Sequence, residues 1–404
     1  MARRRVAVTG VGVVSPLGND REAFWRSLVE GRSGIGPIVA VDTGRLRFRN
    51  GAEVNGFDPG AHFDRRQTKL LDRFAQFALV AAREAVADAR LEWTPALQAR
   101  TAIVTGSCLG GKPTEENGYR DLYERGRDRL PPATIPRAMA NAGASAISLE
   151  FGATGPAFTI STACSSANHA IGQAFWLVRA GAADVALAGG SEAPFSFGIL
   201  KAWEALRAVS PDTCRPFSRD RSGLILGEGG GILVLEEGER ARARGARIYA
   251  EVVGFGMSSD AFHPTLPSPR GAAAAMRHAL ADAGLPPGRV GYVNAHGTAT
   301  LANDRAETRA IREVFGAHAE LLAVSSTKSM HGHALGAAGA LEAAATVLAL
   351  SRGVLPPTAN FTAADPECDL DVIPNMARRT QVDCALSNSF AFGGLNAVLA
   401  IARW

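Results

Sequence analysis

The sequence has no CxxC pair, and its five cysteines (Cys108, Cys164, Cys214, Cys368 and Cys384) are odd in number and widely spaced. That pattern excludes a disulfide framework or a cysteine-rich zinc site and fits a reducing compartment. No secretory leader is expected either. "MARRRVAVTG" is basic at its start but runs straight into a glycine-rich turn, so a soluble cytoplasmic protein is expected. The longest apolar run, "LGAAGALEAAATVLAL", carries Glu342 in its middle and is too short to span a bilayer comfortably, which predicts no stable membrane insertion. Charge bias is slight. A dispersed formal net charge of +4 argues against a nucleic acid partner, while arginine clusters still suit an acidic protein.

What is present points to an enzyme. The 404 residues are 47% apolar and 20% charged, with 44 glycines, which suits a large core and many strand-to-helix turns. Three segment pairs recur in register. "AVTGVGVVSP" from residue 7 matches "EVVGFGMSSD" from 251, "AREAVADARL" from 82 matches "MRHALADAGL" from 276, and "ISTACSSANHAIG" from 160 matches "VSSTKSMHGHALG" from 324. An internal duplication follows, with halves 1–250 and 251–404. "RTAIVTG", "ADVALAGG", "VGYVNAHG" and "CALSNSF" read as strands alternating with helices. The predicted fold class is α/β: five αβαβα layers, in two pseudo-symmetric halves with mixed, mostly parallel sheets. Segments 112–145 and 191–223 have no counterpart in the second half and are expected to be insertions that build pockets and subunit contacts.

"TISTACSSANHAIG" places Cys164 where an apolar strand turns into a helix. Free N–H groups and the helix dipole there can lower a thiol pKa from roughly 8.5, making a nucleophile. A small buried apolar residue is the other reading of a lone cysteine. "NAHGTAT" sets His296 at a strand's carboxyl end, and "STKSMHGHALGAAG" sets Lys328 and His333 in the second copy of the cysteine turn. Convergence of these groups would make an acyl-transfer site. His169 and His331 are assigned structural roles.

"TACSS", "NAHGTAT", "STKSMHGHALGAAGALE" and "SNSFAFGGLNA", in this order, resemble the β-ketoacyl-acyl carrier protein synthase family, type II elongating branch, on the thiolase fold. "LKAWEALRAVSPDTCRPFS" and "PPTANFTAADPECDLDV" resemble the sub-branch that contains rhizobial nodulation protein E. The resemblance implies that Cys164 takes an acyl chain from acyl carrier protein, and that His296 and His333 hold the malonyl thioester oxygen during decarboxylation. Lys328 would orient the second histidine, Glu342 would be the family's buried glutamate, and the N–H groups of Cys164 and Phe392 would form the oxyanion hole, with Phe392 as gate. Thr298, Thr300 and Thr265 would bind the phosphopantetheine arm or substrate, and Leu109 would limit chain length. No metal or organic cofactor is implied. Implied partners are acyl carrier protein, docked on Arg65, Arg66 and Lys69, and a second copy of the chain in a homodimer.

Two residues depart from the family pattern. Ala391 stands where glycine is usual beside the gate and is expected to restrict φ, and Leu395 stands where a polar residue is frequent and is expected to make the pocket wall more apolar. Thiolases are disfavoured because the late loop carries Phe392 and no cysteine, and initiating synthases because His333 replaces their asparagine. A non-catalytic chain-length subunit is disfavoured by Cys164.

Overall fold

"VAVTGVGVV" carries no polar alternation, and it forms strand β1 (Val6–Val14) with all nine residues buried, as a strand covered on both faces requires. The computed structural model describes residues 3–404. Its other principal strands are β2 (Thr101–Gly106), β3 (Ala157–Ile160), β4 (Val185–Glu192), β5 (Gly229–Glu237), β6 (Ala250–Ser259), β7 (Tyr292–Asn294), β8 (Ala323–Ser325), β9 (Cys384–Phe390) and β10 (Leu395–Ala402). The helices used below are α1 (Arg65–Leu70), α2 (Arg73–Ala89), α3 (Lys112–Tyr123), α4 (Ala142–Phe151), α5 (Ser166–Arg179), α6 (Phe197–Leu206), α7 (Pro269–Ala283), α8 (Leu301–Phe315) and α9 (Ala338–Arg352).

The ten strands lie in the order β8-β7-β9-β10-β6-β1-β5-β4-β2-β3. Each half has the same plan. Four of its five strands run one way, and only β5 or β10 opposes them. The sequence predicts two separate sheets; the structure joins them by a short antiparallel seam, Val6–Val8 of β1 against Val252–Ala250 of β6. Both strands are the innermost of their halves, and leaving their N–H and C=O groups unpaired inside the molecule would be costly.

The aligned residues do the same work in both halves. A Cβ on Gly10 would lie 2.1 Å from the Ala85 carbonyl oxygen, and one on Gly254 would lie 2.4 Å from that of Ala279. Only glycine lets α2 and α7 lie this close to β1 and β6. Asp88 accepts from the Val11 N–H (3.0 Å) and Asp282 from the Phe255 N–H (3.1 Å), again at equivalent positions.

Helices α2 and α4 cover one outer face, and α7 and α8 cover the other. Between the sheet halves, α5 and α9 pack on each other and touch strands of both halves. The layers are therefore αβαβα. Ala338 through Leu350 of α9 are all buried, the pattern of a helix enclosed on every side. The window Leu335–Arg352 is long and apolar enough to cross a membrane, but 89% of it is buried inside the fold. Burial of Leu341, Val347, Leu348 and Leu350 contributes about 1.5–3 kcal/mol each. Segment 112–145 forms α3, a turn of helix at Thr134–Ala138 and the start of α4, while 191–223 contains α6. The two ends of the sheet differ. Edge strand β8 is buried, with the Val324 N–H on the Asp371 carbonyl (2.8 Å), whereas Ala157 and Phe158 of edge strand β3 are exposed.

Candidate active site

Strand β3 ends at Ile160 and α5 begins at Ser166, so Cys164 does sit in a strand-to-helix turn. Ala163 takes φ 50, a left-handed kink that brings the next residue sharply round. The Ser165 and Ser166 hydroxyls lock the kink by donating to the carbonyls of Thr162 (2.8 Å) and Ala163 (2.6 Å). Cys164 is only 7% exposed. Burial pushes its thiol up to about 11, against the pull of the Lys328 charge and of the Phe392 and Cys164 N–H groups facing the sulfur. The lowered value expected from the helix end is therefore corrected, because desolvation of the thiolate outweighs these dipoles.

Cys164, His296 and His333 converge as predicted: the sulfur and one nitrogen of each ring lie within 4.8 Å of one another. The rings meet edge to face, with centroids 5.5 Å apart. Burial and the Lys328 charge hold both histidines well below their ordinary value, so both are neutral near pH 7. Their tautomers follow from their partners. The Leu335 N–H donates to His333 Nδ1 (3.2 Å), and the Lys328 ammonium stands 3.3 Å from His296 Nδ1. Each Nδ1 is an acceptor, so each proton sits on Nε2. The same three groups have the spacing of a metal triad, but two Nε2–H donors and a thiol offer protons where a metal needs lone pairs. The set suits an oxyanion better than a cation.

Lys328 is fully buried and pairs with Glu342, also fully buried. It donates to the His296 carbonyl as well (2.7 Å). The histidine it orients is His296 and not, as expected, His333, because its ammonium reaches back across the cavity floor to the β7 loop. Burial raises Glu342 to about 7 against the opposing pull of Lys328. His169 bonds Thr162 Oγ1 (3.0 Å), and His331 bridges the Gly332 carbonyl and Thr327 Oγ1. Both hold turns.

A cavity of about 360 Å³ opens above these groups and is lined by Thr265, Thr298, Thr300, Trp203, Phe390 and Phe392 among others. The Thr298 and Thr300 hydroxyls are 2.9 Å apart, and Thr300 also caps α8. Phe392 is half-buried and stacks on Trp203 of α6, with centroids 5.9 Å apart. Ala391 is not in the left-handed region; Gly393 (φ 82) and Gly394 (φ 70) carry the turn, so in this state the methyl group costs nothing. Leu395 does not line the cavity. It opens β10 opposite Ser259. Leu109 also lies outside this lining, half-buried in an apolar cluster with Phe195, Leu200, Trp203 and Leu335.

Sequence reasoning missed several supports. Buried Glu307 accepts the N–H groups of His296 and Gly297 (2.8 Å each) and the Asn388 amide (3.1 Å), fixing the histidine loop. A signal existed. Thr300, Asn303, Asp304 and Glu307 follow the i, i+3, i+4, i+7 spacing of one helix face, and all but Thr300 are buried. Asp260 takes the Asn396 amide (2.7 Å) and donates its N–H to the Gly394 carbonyl, holding the Gly393–Gly394 turn. Arg65, Arg66 and Lys69 are exposed on α1, which Asp64 caps with Gln67, and none of the three forms an ion pair among the described residues.

Comparison with known proteins agrees with this geometry. Residues 3–241 match the family model "Beta-ketoacyl synthase, N-terminal domain", and 249–362 match "Beta-ketoacyl synthase, C-terminal domain". The chain is 51% identical to nodulation protein E of Rhizobium sp. (strain N33), with 98% of each chain covered. It is 45% identical to 3-oxoacyl-[acyl-carrier-protein] synthase 2 of a Synechocystis species, with 100% of this chain and 99% of that one covered. Among solved structures, the ishigamide ketosynthase/chain length factor superposes with a TM-score of 0.94 at 39% identity, over 100% of both chains. With both family models matched in order and relatives alike end to end, this chain belongs to the β-ketoacyl synthase family of condensing enzymes.

Proposed function

We propose that Cys164 carries an acyl chain which is condensed with malonyl-acyl carrier protein, in a decarboxylative Claisen reaction, to a 3-oxoacyl product two carbons longer. The observation that carries this reading is the convergence of the Cys164 sulfur and two neutral histidines beneath one cavity. The sulfur attacks the acyl thioester carbon, the bond to the carrier's thiol breaks, and the Cys164 proton leaves with that thiol. The Cys164 and Phe392 N–H groups stabilise the oxyanion formed on the way. Malonyl thioester then enters. Its carbonyl oxygen takes hydrogen bonds from Nε2 of His296 and His333, the carboxylate leaves as carbon dioxide, and its electron pair makes an enolate. That carbanion attacks the acyl carbon, and the Cys164 thiolate departs. Thr298, Thr300 and Thr265 are positioned along the cavity to hold the phosphopantetheine arm, and Phe392 gates it against Trp203. The displaced carboxylate supplies the nucleophile, so the chemistry calls on no organic cofactor or metal.

The wider reading includes partners. Exposed Arg65, Arg66 and Lys69, without an ion pair among the described residues, suit an acidic carrier protein, and the name of the Synechocystis relative specifies an acyl carrier protein. A second copy is the proposed mate, because Tyr123, Ile135 and Leu149, in or beside the 112–145 insertion, leave apolar surface exposed, and Leu149 lies on α4, which packs against edge strand β3. The similar ishigamide structure is that of a ketosynthase/chain length factor, which makes a non-identical mate the alternative outcome. Halves 1–250 and 251–404 are read as copies of one ancestral unit, working in the cytoplasm. The test is intact mass of wild type and Cys164→Ala after acyl carrier thioesters, then malonyl carrier protein. Acyl transfer to wild type alone, chased to a 3-oxoacyl carrier product, is expected; absence of acylation from every carrier would refute the reading.

A further inference from the structure

Glu192, at the carboxyl end of β4, is a fully buried carboxylate without a salt bridge among the described residues. Its oxygens accept four hydrogen bonds instead. Oε2 takes the N–H groups of Cys108 (2.8 Å) and Gly336 (3.2 Å), and Oε1 takes the Leu109 N–H (3.2 Å) and the Ser107 hydroxyl (3.1 Å). A buried anion solvated by donors alone is expensive to keep unless it fixes something.

What it grips adjoins His333. Leu335 takes φ 47, left-handed backbone that a branched residue rarely adopts. The N–H groups on either side of its α-carbon are both held: its own on His333 Nδ1, and that of Gly336 on Glu192. The fit is close, since a Cβ on Gly336 would come 2.5 Å from Glu192 Oε2 and 2.6 Å from the Cys108 nitrogen. We infer that Glu192 is a positioning residue for the condensation: by holding the Gly336 N–H it keeps Leu335 in its left-handed turn, the Leu335 N–H on His333 Nδ1, and the His333 proton on Nε2 facing the cavity. Because the same carboxylate holds the Cys108 and Leu109 N–H groups, one side chain ties the loop behind the acyl site to the histidine of the malonyl site. The inference rests on the function proposed above.

Two variants and one spectrum test it. Glu192→Met removes all four acceptor bonds at similar volume. Glu192→Gln can keep an oxygen toward the Cys108 and Gly336 N–H groups while its amide donates to the Ser107 hydroxyl oxygen; it gives up only the Leu109 N–H, so the His333 side should be rescued. Loss of one oxyanion donor costs roughly 10²- to 10³-fold, and a histidine shared between tautomers should lose part of that. Glu192→Met is therefore expected to slow decarboxylation of malonyl carrier protein about ten-fold or more relative to acylation of Cys164, with Glu192→Gln near wild type. Equal loss in both half-reactions, or no loss in either, overturns the inference. Should the methionine variant fail to fold, ¹⁵N spectra of His333 in wild type decide: a proton on Nε2 supports it and a proton on Nδ1 overturns it. Failure of wild type in both half-reactions would instead sink the condensing reading, while the spectrum still reports the His333 tautomer that Glu192 is inferred to hold.

Discussion

Alkylation of Cys164 across a pH range measures which force governs the nucleophile. Its thiol is pushed from 9.0 to about 11, so near pH 7.5 roughly 1 in 3,000 is thiolate, against roughly 1 in 30 for an unperturbed thiol. A more basic thiolate is also a better nucleophile, with a Brønsted slope of about 0.4–0.5, which returns roughly eight-fold of that roughly 100-fold deficit. Iodoacetamide should thus modify Cys164 about ten-fold more slowly than a free cysteine at pH 7.5. The logarithm of the rate should climb one unit per pH unit, without a plateau, up to pH ~10. Intact mass with peptide mapping reads the site, and Cys164→Ser is the control. Buried Cys214 and Cys368 stand at about 12 and should react later. A plateau between about pH 6 and 8 would refute the reasoning, since it would mean that the helix end and Lys328 outweigh desolvation. The shift has a sign for stability too. The unfolded chain loses this proton first, so stability should fall as pH rises from about 9 toward 11.

Lys328→Met should cost about 3–5 kcal/mol in denaturant unfolding, because it strands the buried Glu342. Adding Glu342→Gln should recover much of that loss, and a single-variant cost below about 1 kcal/mol would contradict the pairing. Reversing the α1 charges (Arg65→Glu, Arg66→Glu, Lys69→Glu) should raise KM for carrier-bound substrate roughly ten-fold with kcat unchanged and flatten the salt dependence of kcat/KM. An unchanged KM would move docking elsewhere.

The fold was legible because the chain repeats. Gly10, Gly12 and Asp88 recur as Gly254, Gly256 and Asp282, and each pair makes the same strand-to-helix contact. The site was legible where residue type and turn coincide, at Cys164, His296, Lys328 and His333. Three things were hidden, all of them sums over distant parts. The thiol pKa depends on how completely the cavity floor is desolvated. Which histidine Lys328 meets depends on where its long stem points. Where Leu109 and Leu395 sit relative to the cavity depends on packing between layers, which motif spacing does not encode. Glu307 is marked in the sequence only by the polar face it shares with Thr300, Asn303 and Asp304, and Glu192, in an ordinary-looking strand, only by three-dimensional hydrogen bonding.

The sheet's two ends differ in a way that bears on handling. One edge is sealed at β8, while β3 offers Ala157 and Phe158 to solvent with a row of backbone groups free on its outer side. Such an edge is a template for another strand. If the proposed second copy adds there, it binds the folded state alone, so by mass action the melting temperature should climb with protein concentration. Dilution would then destabilise this protein without any change in its own contacts, and stability values are comparable only at matched concentration.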